Sequence, residues 1–274
     1  MTTRRVTAVL GLLAPCVVSA ATSTSMDRIS VIGSGSTLTG TSGGGGGSVG
    51  WLHNFDADSL VTLGAEHQKL GDAQWTFGSV SGSLTRQLGD GRYTFSAEAH
   101  EGAGDDGPKA LHYHIEAAGV TGTYFRRLSV QLEARRIDVE TTHGNLPKIA
   151  ISYLWTQHWM TSVSRADSVG GNLGTHLTTV RFDRYSPVVN LLAGGTYGRA
   201  SPTIFTLGIV TPGHVLKEGF VGASRTFARR TDVTLTADYL QLSGGHDDRV
   251  FPVSRRVTVT LSFMIRLGSL AGKP

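Results

Sequence analysis

The chain has 274 residues, 39% of them hydrophobic and 36 of them glycine, with a formal charge of +4 and a mean hydropathy of −0.04. That length suits one large or two ordinary domains, and that hydropathy excludes a bundle of apolar membrane helices. A single cysteine excludes a disulfide framework. With Arg4 and Arg5 assigned to a leader, 23 cationic residues stand against 21 acidic ones, which argues against nucleic acid as a partner.

Residues 1–21, "MTTRRVTAVLGLLAPCVVSAA", read as a secretory signal peptide. Arg4 and Arg5 form its positive end, Val6 to Val18 its apolar stretch, and "VSA" supplies small residues for cleavage. "LAPC" loosely resembles a lipoprotein cleavage box that would acylate Cys16, although Pro15 fits poorly there. Cleavage after Ala20 or Ala21 leaves no cysteine, which suits a chain that crosses the periplasm unfolded. Residues 22–45 follow as a flexible Ser/Thr/Gly-rich segment, with "RISVIGS" inside it as a weak strand. Neither "GSGSTLTG" nor "GGGGG" follows a strand and opens a helix, so neither is a phosphate-cradling loop.

From Gly46 onward, apolar and polar residues alternate with a period of two, the signature of strands with two different faces. Fainter strands are expected at 48–55, 59–68 and 75–88. "RYTFSAEAH" then sets Tyr93, Phe95, Ala97 and Ala99 against Thr94, Ser96, Glu98 and His100. "LHYHIEA" sets Leu111, Tyr113, Ile115 and Ala117 against His112, His114 and Glu116. In "LSVQLEARRIDVE" the apolar parity shifts from even positions to Ile137 and Val139, which predicts a β-bulge near Arg135 and Arg136. "KIAISYLW" carries Ile149, Ile151, Tyr153 and Trp155 on one face. Further strands are expected at 159–168, 176–185, 188–197, 203–210 and 219–227, followed by "TDVTLTADY".

The last segment, "RRVTVTLSFMIRL", puts Val257, Val259, Leu261, Phe263 and Ile265 on a lipid-facing stripe and threonine, serine and arginine between them. Some connections are short ("FDADS", "LGDGR", "TQHW", "RYSP") and others long ("EGAGDDGPKA", "TTHGNLP", "VGGNLGT", "SGGHDDRVFP"), and the two kinds alternate over the first two-thirds of the chain, up to a break at 198–230. Outer-membrane barrels show this asymmetry between periplasmic turns and external loops, and Greek-key sandwiches have no reason to. The expected fold is therefore all-β: a closed antiparallel up-and-down transmembrane β-barrel of about 14 strands, within a range of about 12 to 16. It spans 46–267 and leaves a tail at 268–274.

Candidate function lies in the lumen. Glu98, His100, His112, His114, Glu116, Glu133 and Arg181 are expected to line it as a polar cluster. Paired histidines with carboxylates are chemically able to bind zinc, but a hydrated hydrogen-bond network is the favoured reading, with no metal or cofactor. Trp51, Trp75, Trp155 and Trp159 fit interfacial girdles or ordinary packing equally well. His143 and His176 read as loop-solvating residues. No catalytic residue is assigned. A glycine-rich entry into "GWLHNF", the "YTFSAEAHEG" strand, the "HGNLPK" loop opening "ISYLW" and a threonine-rich last strand together resemble the YaiO-type outer-membrane barrels of Gram-negative bacteria. In one departure, the chain does not finish on an aromatic residue but continues past Phe263 as "MIRLGSLAGKP". The resemblance implies a pore or export conduit related to exopolysaccharide. Its partners would be outer-membrane lipid, the barrel-assembly machinery, and a polysaccharide or small polar solutes. The alternatives are a lipid-modifying outer-membrane hydrolase and a structural barrel without cargo.

Overall fold

The computed structural model describes residues 26–39, 43–70, 73–106, 109–139, 142–200, 214–228, 230–243 and 254–267. The segment read as a signal peptide, the strand expected at 203–210 and the tail at 268–274 lie outside these residues. The described strands are β1 (Met26–Leu38), β2 (Gly44–Asn54), β3 (Ser59–Leu70), β4 (Ala73–Leu88), β5 (Gly91–Asp106), β6 (Lys109–Tyr124) and β7 (Leu128–Val139). They continue as β8 (Thr142–Thr156), β9 (Trp159–Asp167), β10 (His176–Arg184), β11 (Asn190–Ala200), β12 (His214–Phe227), β13 (Thr231–Ser243) and β14 (Ser254–Arg266). Each pairs antiparallel with its sequence neighbours, and β1 pairs with β14 from Arg28–Arg266 to Leu38–Arg256. The sheet closes into a 14-stranded barrel without an edge.

Cross-strand register keeps apolar residues on the outside from strand to strand. Val31 faces Val49, Trp51 faces Leu63, Leu63 faces Val80, and Val80 faces Ala99. On the far side Leu132 faces Ile149, Ile151 faces Val163, and Val163 faces Val180. These large side chains are exposed, so the outer wall carries an apolar belt. From Val257 to Ile265 the belt runs about 26 Å along the strand, or about 20 Å along the barrel axis at a tilt of about 40°.

The two ends differ. One end carries the short connections 55–58, 89–90, 125–127, 157–158, 185–189 and 228–230, together with both termini of the closed sheet. In the first of these turns the Asp56 carboxylate accepts from the Asp58 N–H (2.8 Å) and the Ser59 hydroxyl (2.7 Å). The Ser59 hydroxyl foremost, with that N–H, holds the Asp56 carboxyl below the usual range. The opposite, loop end carries the remaining connections, of which 168–175 is described in full.

Three expectations are corrected. The barrel begins at Met26 rather than Gly46, because the Ser/Thr/Gly-rich segment contains β1 and the start of β2. A strand needs only backbone donors and acceptors, and β14 and β3 supply those on either side. The bulge at Arg135 and Arg136 is absent, since β7 keeps one register against both neighbours throughout. The shift in the ladder lies instead between Leu154 and Thr156, where β8 meets β9. Finally, much of "EGAGDDGPKA" and "TTHGNLP" is ladder rather than loop, with Asp106 paired to Lys109 and Val139 to Thr142.

Candidate functional site

The inner face is built from the positions that alternate with the belt. On β1 to β5 many of those positions are small: Ser34 on β1 faces Gly46 on β2, and Ser48 lies two residues further along β2. Arg28, Ile32, Glu66, Phe77, Glu98 and His100 stand on the same face. Ser81 and Ser83 on β4 face Glu98 and Ser96 on β5. The Thr85 and Thr94 hydroxyls lie 3.0 Å apart across the same pair. A barrel of about 8 strands is filled by its own side chains, and one of about 16 to 18 encloses an aqueous channel. Fourteen strands fall between these sizes.

From β5 onward the wall carries charge in matched pairs. Arg135 on β7 donates to Glu98 on β5 (2.5 Å) and lies 3.3 Å from Glu133, while Lys148 on β8 is 3.8 Å from Glu133. His100 reaches the same Glu98 carboxylate at 3.7 Å. Side chains of Glu98, Arg135 and Glu133 keep only 12–17% of their surface exposed. Charge-assisted bonds of this kind are stronger than neutral ones, and burial of either sign alone would be costly. Further round, Arg181 on β10 forks onto Asp183 with contacts of 2.5–2.9 Å. Arg266 meets Asp232 at 3.3 Å near the turn end.

Toward the loop end the lumen turns apolar. Ile137 and Val139 on β7 point inward with Leu146 on β8, and Tyr113, Ile115 and Ala166 pack around them. Leu173, from the β9–β10 connection, fills this pocket and is fully buried. Backbone bonds fasten the connection to the wall: Asn172 N–H donates to the His143 carbonyl (2.9 Å), and Asn145 and Val169 exchange bonds of 3.3 and 2.8 Å. The His143 N–H in turn donates to the Asn172 side chain at 2.8 Å. A second inward cluster, Leu216, Leu240 and Leu242 with Leu177, occupies the loop-ward half of β10, β12 and β13.

The structure divides the expected polar cluster. Glu98, His100 and Glu133 share the inner face and gather around Arg135 and Lys148, neither of which the sequence reading assigned. Arg181 also faces inward but is bound to Asp183 on its own strand. His112, His114 and Glu116 stand on the outer face, a correction to their expected lumenal position. Glu116 faces Ala99 and His114 faces Glu101, residues on the same side of β5 as the exposed Phe95. There His112 lies 2.9 Å from Glu101, and His114 contacts Glu101 (2.6 Å) and Glu116 (3.0 Å). Both ring nitrogens of His114 are thus engaged by carboxylates, which suits an imidazolium donor rather than a metal ligand. His176 also faces outward, 2.9 Å from Asp167.

Val257, Val259, Leu261, Phe263 and Ile265 lie on the exposed outer stripe of β14. Trp51, Trp155 and Trp159 stand on the outer wall near the turn end, where Trp155 N–H donates to Thr161 at 3.0 Å. Trp75 points inward opposite Gly104, on the same face as the buried Phe77.

No protein-family model matches the chain, and neither does any curated protein. Solved structures do. The CymD monoaromatic hydrocarbon channel superimposes with a TM-score of 0.63 at 8% identity, covering 93% of this chain and 92% of its own. The TodX deltaS2S3 mutant monoaromatic hydrocarbon channel gives 0.56 at 7% identity, covering 92% of each chain. The Acinetobacter baumannii outer membrane protein Omp33 gives 0.52 at 11% identity, covering 88% of this chain and 99% of its own. At such identities the likeness is one of fold: this barrel is built like those of outer-membrane channels.

Proposed function

We propose that the protein is an outer-membrane channel that passes small polar solutes along the hydroxyl-lined wall of β1 to β5. The observation that carries this reading is the inversion of the two faces. Large apolar residues such as Val31, Leu63, Ile151 and Leu261 are exposed on a closed outer wall, while Glu98, Arg135, Arg181 and Asp183 line the interior. A continuous apolar belt of this size is a liability in water and a match to a hydrocarbon layer. Tryptophans near the turn end fit an interfacial girdle. The alternation of charge-paired and hydroxyl-bearing walls gives solutes both a fixed field and exchangeable hydrogen bonds.

Among polar cargoes a saccharide chain fits this wall well, because serine hydroxyls both donate to and accept from sugar hydroxyls. That is the reading in keeping with a YaiO-type conduit. The two apolar clusters inside the loop-ward mouth favour a second reading, in which small apolar solutes enter there, as the names of CymD and TodX state for those channels. Planar-bilayer recording and liposome swelling test both. Stepwise conductance with swelling in sugars supports the polar path, whereas uptake of toluene without swelling supports the apolar one. A folded barrel that neither conducts nor admits either solute, even with Leu173→Asp in place, overturns the channel reading in favour of a structural barrel.

A further inference from the structure

At the loop end of the outer wall, charge is distributed unevenly around the barrel. On β5 to β10 the outward cations meet acids: Arg165 is bound to Asp167 at 2.6 Å, His112 and His114 contact Glu101, and Arg136 faces Glu116. On β11 to β14 they do not. Arg199 on β11 lies two residues beyond Tyr197, which faces Lys217 on β12; Lys217 faces Gln241 on β13, and Gln241 faces Arg255 on β14. All three cations are exposed. Among the described residues, no outward position on these four strands is a carboxylate. Glu218, next to Lys217, has the opposite parity and faces inward beside Leu240, and Asp247 and Asp248 belong to the β13–β14 connection outside the described residues.

We infer that this face of β11 to β14 binds the phosphate groups of an outer-leaflet glycolipid. The inference rests on the outer-membrane reading and goes beyond it, since a channel needs no lipid site. Neighbouring strands lie about 4.8 Å apart, so Lys217 and Arg255, two strands apart, are about 10 Å from each other. Arg199 and Lys217, diagonal neighbours, are about 7 to 8 Å apart. Such an array is too wide for one small anion and suits a headgroup that carries two phosphates. What favours a lipid over a soluble anion lies directly beneath: Tyr197 and Tyr239 are exposed on the same outer face, and below them run Val221, Leu235 and Val259 of the belt. Acyl chains would lie on the belt while the arginine and lysine stems, themselves apolar, extend upward along it. Phosphates at this height meet cations that share the described outer face of β11 to β14 with no carboxylate, the adjacent Asp167 being already bound by Arg165 and His176.

Native mass spectrometry of the detergent-solubilised barrel, incubated with bisphosphoryl lipid A or its dephosphorylated form, provides the test. The wild-type protein should retain the bisphosphoryl lipid and release the dephosphorylated one. Exposed charge pairs are individually weak, so the three together set the scale of the effect. The R199Q/K217Q/R255Q variant should therefore bind about tenfold more weakly or worse. R126Q/R127Q, which removes two exposed cations at the turn end, should bind as wild type. The charge-conserving R199K/R255K variant separates loss of charge from loss of fold and should retain the lipid, and a gel-mobility shift on heating confirms closure in each case. Equal retention by the triple variant, or equal binding of the dephosphorylated lipid, overturns the inference. Conductance is read separately: a barrel that binds the lipid but never conducts sinks the channel reading alone.

Discussion

Leu261 and Thr260 are one backbone step apart and face different solvents. Leu261 stands on the exposed outer stripe between Gly33 and Leu235, whereas Thr260 points inward between Ser34 and Thr236. Arginine at Leu261 should destabilise the folded barrel by about 2–4 kcal/mol if the site lies near the bilayer midplane, and arginine at Thr260 by far less. Denaturant titration in lipid vesicles measures both, and equal costs would refute the register. The histidines divide in the same way. Three lumenal histidines, His100, His112 and His114, beside Glu98 and Glu116 would have made a natural pH switch of selectivity, but of the three only His100 shares the lumen with Glu98. His112 and His114 stand on the outer wall, so H112Q/H114Q should leave the reversal potential in a salt gradient unchanged from roughly pH 5 to pH 8, the window in which histidine side chains commonly change charge. A pH response lost in that double variant would place those side chains in the conducting path after all.

The β9–β10 connection acts as a clasp on the loop-ward mouth. Gly171 has a φ of +66°, and a Cβ there would stand 1.9 Å from the His143 carbonyl oxygen. The adjoining Gly144 has a φ of +157° and lies against Leu173. Gly171→Ala should therefore unseat the connection and withdraw Leu173 from its pocket, while Leu173→Asp should do so by burying an unpaired charge. Both variants should raise single-channel conductance, and two unchanged conductances would show that solutes bypass this pocket. The same region explains what the sequence revealed and what it hid. Strand number, strand faces within the belt and the exposed apolar stripe of β14 were legible because a wall with an apolar outside and a polar inside imposes a strict two-residue alternation. Beyond the belt the outer face turns polar, and the mouth of the lumen packs apolar side chains of its own. On β6 and β7 this exchanges the two classes: Tyr113, Ile115, Ile137 and Val139 turn inward, and His112, His114, Glu116 and Arg136 turn outward. A reader who assumes that apolar always means outward is then led to a bulge that does not exist and a histidine cluster on the wrong face. Arg135 was recoverable, since it shares the parity of Glu133 once the bulge is dropped.

For the molecule as a whole, closure depends on a strand with few apolar side chains. β1 contributes Ile29 and Val31 to the belt, yet much of its length is serine and glycine, and it supplies the whole ladder to β14 on one side and β2 on the other. An up-and-down barrel alternates strand direction, so β2 and β14 run the same way. Removing β1 would ask those two strands to close in parallel, with slanted hydrogen bonds and a register that neither neighbour sets. An odd strand number is correspondingly rare in single-chain bacterial barrels. The full barrel refolded in detergent should migrate faster unheated than boiled on SDS gels, because a closed ladder resists the detergent until heat opens it. Deleting residues 26–38 should abolish that difference and leave a chain that is protease-sensitive and does not conduct. A deletion variant that retained the shift and the protection would mean that β2 and β14 can seal the wall directly, and that the serine- and glycine-rich strand is dispensable to the closure assigned to it.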